Sequence, residues 1–123
     1  MPGWLTWAAC APSLEADDPE TRRRAVVWMA PDELQQNLPR LVELAVHDPS
    51  PEVRREVIVQ LGWAGDPAVA ATLDQVVTAE PAAVLVAWVG LGACERAARV
   101  PIDPTDRAYR WWRMSPCNDD RWW

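Results

Sequence analysis

The chain has 123 residues, with twelve Arg, no Lys, eighteen acids and one His, for a net charge of −6, which suits one domain with a modest core. Without Lys there is no P-loop, Schiff base or cofactor anchored on an amine, and a lone His47 cannot build a multi-histidine metal site. The charge is uneven: residues 107–123 hold four Arg against Asp119 and Asp120, while the rest holds eight Arg against sixteen acids, so the body repels nucleic acid and the tail is too small a basic patch to reverse that.

No run approaches the roughly 18 apolar residues that span a bilayer, and the amino-terminal Met1-Pro-Gly-Trp-Leu-Thr-Trp7 lacks the basic flank of a secretory signal. The expectation is a soluble, cytoplasmic protein with no membrane partner. Absence of Lys and Phe, with only Ile58 and Ile102, fits the codon bias of a high-GC, actinobacterial-type genome. Cys10, Cys94 and Cys117 are odd in number and widely spaced, which argues against a disulfide framework and against zinc, so reduced thiols are expected.

Residues 1–16 carry Trp4, Leu5 and Trp7 and read as a lid over the first open face of a helical stack, with an exposed partner-binding Trp pair as the other reading. A first helix is expected over Pro19–Met29, capped by Asp18, with Ala25, Val26, Trp28 and Met29 as apolar positions. A second starts after Pro31, facing Leu34, Leu38, Leu41, Val42, Leu44, Ala45 and Val46 inward; Pro39 should kink it or delay its true start. His47 ends that run, where a cation suits the helix dipole better than it suits catalysis.

The third helix organises the chain. Asp48 is placed to cap it, Pro51 and Glu52 fill its first turn, and Val53, Val57, Ile58 and Leu61 form its apolar stripe. Gly62 and Gly65 can end it, and Asp66-Pro67 begins a fourth helix through Val69, Leu73, Val76 and Val77 to about Ala79. Glu20-Thr-Arg-Arg23 returns as Glu52-Val-Arg-Arg55, an internal duplication whose spacing is that of a helix-pair repeat.

The spacing Asp48, Val53-Arg54, Val57, Leu61-Gly62, Gly65-Asp66, Ala70 and Leu73 resembles a short bacterial HEAT repeat, with Trp63 and Ala64 where the family usually has a polar linker. The resemblance implies an all-α fold, a short α-solenoid of antiparallel helix pairs with about five to six helices. It also implies an Asp–Arg ladder involving Asp48, Arg54 and Asp66. Arg22, Arg23, Arg54 and Arg55 could otherwise form an anion-binding row, but paired charges are the favoured reading.

A fifth helix is expected over Pro81 to about Ala97, apolar almost all round, and therefore covered on more than one side by a partner or by the carboxy-terminal segment. The repeat domain thus spans 1–100, with 1–16 as its amino-terminal cap, and residues 101–123 form a Trp/Arg-rich tail. A sixth helix over Pro104 to about Met114 carries Tyr109, Arg110, Trp111, Trp112 and Arg113. Cys117 follows, then Arg121-Trp122-Trp123, so four of the nine Trp stand between position 111 and the end of the sequence.

Trp and Arg are the side chains most enriched at interface hot spots. The sequence therefore points to a non-catalytic module that needs no metal or cofactor and binds another protein through its helical face, its Trp-rich tail or both. Self-association is another way to close so short a stack. A different reading, based on layout alone, makes the chain a precursor of a ribosomally made, modified peptide, with Trp and Cys117 in a core beyond about Pro104. An enzyme has little support, since no nucleophile–base pair can be assembled around His47 or around Asp119 and Asp120.

Overall fold

The structure, a computed structural model, describes residues 13–118. The expectations for Trp4, Trp7 and Cys10, and for Asp119, Asp120, Arg121, Trp122 and Trp123, fall outside the described residues. Among those described there are eight α-helices and two 3-10 turns, and none of the helices is long and apolar enough to cross a membrane.

Helix α1, Pro19–Val27, starts at Asp18, whose carboxylate accepts the Thr21 N–H at 3.0 Å and the Thr21 hydroxyl at 2.8 Å. Those bonds, the hydroxyl first, hold the Asp18 carboxyl below its ordinary pKa. The next stretch splits at Asn37 into α2, Pro31–Gln36, and α3, Leu38–His47. Pro39 explains the break, because its ring excludes the carbonyl that a continuous helix would place one turn earlier. The Asn37 side chain then donates to the Glu33 carbonyl at 2.8 Å and closes α2.

Helix α4, Pro51–Ala64, is capped by Ser50 rather than Asp48; the Ser50 hydroxyl oxygen accepts the Val53 N–H at 3.4 Å. Gly65 ends it with φ +73°, a left-handed conformation in which a Cβ is strained. Asp66 caps the turn Pro67–Val69, which leads into α5, Ala70–Val76.

The long fifth helix divides. Helix α6 spans Pro81–Gly90 and α7 spans Cys94–Ala98. Between them, the Ala93 N–H donates to the Trp88 carbonyl at 2.9 Å and the Gly92 N–H to Val89 at 3.0 Å, with Gly92 at φ +75°. This is the glycine-dependent Schellman end, and it turns the chain before an all-apolar run can continue. Helix α8, Arg107–Met114, and the turn Pro116–Asn118 complete the described chain.

Helices α1, α4 and α6 lie side by side with α4 in the middle, while α3 packs on α4 and α5 to form the second layer. Leu41, Ile58, Leu61, Leu73 and Leu85 are fully buried where the layers meet, so each antiparallel pair hides its apolar stripe against its neighbour. At the crossing of α4 and α6 the backbones touch: a Cβ on Gly62 would lie 2.5 Å from both the Cα and the carbonyl oxygen of Ala87.

One expectation is overturned. Cys94 and Cys117 are joined in a disulfide, with Cα atoms 5.0 Å apart across 23 residues of sequence. Odd count and wide spacing say nothing about which cysteines a fold-back brings together, and here α8 returns over α6 and delivers Cys117 to Cys94.

Candidate functional site

The duplication seen in sequence becomes a polar clamp that is repeated in the structure. Arg22 grips Asp48 with two bonds, Nε to Oδ2 at 2.9 Å and Nη2 to Oδ1 at 3.1 Å, and its Nη1 donates to the Ala16 carbonyl at 2.8 Å. Arg54 is its counterpart in the next unit. Its Nη2 donates to Glu80 at 3.3 Å and its Nη1 to the Asp48 carbonyl at 2.7 Å. Arg55 also pairs with Glu80, at 3.3 Å.

Each arginine therefore reaches the acid 26 residues ahead, in the lead-in turn of the following unit. Arg54 takes the main-chain oxygen of Asp48, not its carboxylate. Asp66 stands in the turn at the other end of the helices, where it caps, accepting the Ala68 N–H at 2.9 Å. That is why the ladder runs through Glu80 instead. Arg23 bonds Glu20 at 2.7 Å and approaches Glu56 at 3.9 Å. These arginines are engaged internally and do not form an open anion-binding row.

The Asp48 side chain is 1% exposed. Burial pushes its carboxyl up, but the Arg22 hydrogen bonds, the Ser50 N–H and the charges of Arg22 and Arg54 outweigh burial and leave the pKa below the ordinary value.

Because both clamps join amino-terminal ends, α1, α4 and α6 run parallel and their carboxy-terminal ends share one edge. That edge carries Trp28, 66% exposed, and Trp63, 59% exposed, with Val27 also open to solvent. Gln35 donates to the Ala64 carbonyl at 2.7 Å and braces the edge from α2. Asp32, Glu33 and Asp66, in the helix starts at this end, make no ion pair among the described residues. Sequence reasoning counted Trp28 among the apolar positions of its helix and met Trp63 only as a departure in the linker. The available signal was that both indoles sit at the last turn of equivalent helices.

The tail residues separate by face. On α8, Trp112 is buried, Tyr109 is half-buried, and Arg110, Trp111 and Arg113 are exposed, as is Met114 at 81%. Ser115 donates to the Trp112 carbonyl at 2.7 Å and is buried, as is Cys117. On α7, Arg96 lies 4.9 Å above the Trp88 ring and reaches Asp74 at 3.3 Å. A cleft of about 440 Å³ beside Trp88 is lined by Pro67, Ala70, Leu91 and Ala93. His47 is exposed at the end of α3, and no three metal-ligating side chains converge among the described residues.

A family model of HEAT repeats matches residues 9–92. No curated protein and no solved structure matches the chain.

Proposed function

Since the chain belongs to the HEAT-repeat family, a fold that generally mediates protein–protein interaction, we propose that it is a non-catalytic binding module whose main contact is the Trp28–Trp63 edge. The carrying observation is that two large indoles are exposed at the last turns of two parallel helices that pack against each other. Large aromatic groups held on rigid helices lose little side-chain entropy on binding, and they make the usual anchors of protein interfaces. The outward side chains of α8, Arg110, Trp111 and Arg113, supply a second contact, which the sequence continues into Arg121, Trp122 and Trp123.

The test begins with whatever protein co-purifies from the native host. Its affinity is titrated against Trp28→Ala/Trp63→Ala and, separately, Arg110→Ala/Trp111→Ala. The first double variant should weaken binding by about 2 kcal/mol or more, roughly thirtyfold, with stability nearly unchanged because both side chains are exposed. Unchanged affinity in the first variant would remove the edge from the interface.

In the modified-peptide reading, residues beyond about Pro104 are a substrate for tailoring enzymes, and Trp112 and Cys117 would have to leave their buried positions. The intact mass from the native host, taken after full reduction of the Cys94–Cys117 bond, separates the two readings: the encoded mass supports the binding module, and a shortened tail or a mass change that reduction does not reverse supports the precursor.

A further inference from the structure

Residues 103–118 fold over α6, yet among the described residues no ion pair or side-chain hydrogen bond links them to the rest of the chain; every polar contact they make is local. What holds them is apolar packing of Trp112, Tyr109 and Ala108 on the core, together with the Cys94–Cys117 bond. The helix they cover has no polar face to offer water: Ala83, Val84, Leu85, Ala87 and Trp88 are buried on different sides of α6.

We infer that Cys94–Cys117 is a thiol–disulfide exchange site, a latch that a dithiol reductant opens to release the carboxy-terminal cap. The two cysteines are unequally exposed. Cys94 is partly exposed and Cys117 is buried, so an incoming thiolate attacks the Cys94 sulfur and the Cys117 thiolate leaves and is protonated. The second thiol of the reductant then attacks its own sulfur in the mixed disulfide and frees Cys94. Two electrons and two protons pass to the protein, and the reductant ends as a disulfide. Release strands no buried charge, because among the described residues none crosses between cap and body.

The experiment uses the full chain, made under oxidising conditions and compared before and after dithiothreitol. Alkylation after denaturation should add one group to the oxidised protein, at Cys10, and three to the reduced one. In native hydrogen exchange, α8 should exchange about a hundredfold faster after reduction, the order expected when a cross-link of 23 residues is opened. Trp112 should become reactive to an indole-oxidising footprint while α4 keeps its protection. Cys117→Ser should show the open state without reductant and gain nothing from it.

The latch is overturned by three alkyl groups on the oxidised protein, or by an α8 that stays protected after reduction. Loss of α4 protection together with α8 also overturns it, since the bond would then be a staple for the whole fold. None of these readouts involves a partner, so they stand or fall apart from the Trp28–Trp63 edge.

Discussion

The body, residues 16–80, and the closure, residues 81–118, are held together in different ways. The body repeats one polar clamp: an arginine in the first turn of a helix grips the acid and the carbonyl of the adjoining lead-in turns, at Arg22 and again at Arg54. The closure has no such clamp among the described residues. It relies on a backbone-to-backbone helix crossing, on indole packing and on one covalent bond. A directional clamp sets the register between units and can be copied with each duplication, whereas an end occurs once and is fitted by shape. The variants below test whether that division is real.

The largest effect is expected where body meets closure. Gly62→Leu puts atoms where the main chain of Ala87 already lies 2.5 Å from a Cβ, and backbone cannot swing aside as a side chain can. Helices α4 and α6 must separate, at a cost of about 4 kcal/mol or more in denaturant unfolding. A cost below about 1 kcal/mol would mean the crossing is loose and α6 is held by its cap alone.

Next come the two clamps themselves. Arg22→Ala leaves the Asp48 carboxylate buried without its partner and should cost about 3 kcal/mol. Arg54→Ala leaves Glu80 with Arg55 and should cost about 1 kcal/mol. The same pair sets a pH dependence. Since the folded Asp48 pKa is depressed, its contribution is present above the unfolded value and is lost as pH falls through the folded one. Stability should therefore drop below about pH 4, and Asp48→Asn should flatten that slope. A wild-type slope surviving in Asp48→Asn would move the acid sensitivity to other carboxylates.

The same division explains what could be read in advance. Helix positions, the break at Pro39 and the return of Glu20-Thr-Arg-Arg23 as Glu52-Val-Arg-Arg55 were legible because apolar spacing, proline and repetition are local or periodic signals. The ladder was legible as a type but not in register: Asp48 looks like a cap by position, and only the packing of α1 on α4 shows Ser50 taking that role while Asp48 turns to Arg22. The disulfide was misread, since nothing local distinguishes cysteines that a later fold-back joins. Trp28 and Trp63 were hard to place because an indole at a helix end fits a core or a surface equally well in a linear pattern.

The smallest effect sharpens the comparison most. Arg96 lies over an aromatic face of the closure, 4.9 Å from the centroid of Trp88, and its bond to Asp74 lies in solvent with both side chains more than half exposed. An exposed pair of this kind contributes a few tenths of a kcal/mol, and a cation half in solvent over the face of a buried indole about 0.5–1 kcal/mol. Arg96→Ala should therefore cost no more than about 1 kcal/mol and Asp74→Ala about 0.3 kcal/mol, both read from denaturant midpoints at constant slope. If Arg96→Ala instead costs as much as Arg22→Ala, the closure has a polar clamp of its own. The apolar-and-covalent account would then fail where α7 meets α6, because a charge on Trp88 would be fixing the register that the disulfide and the packing of Trp112 are argued to fix.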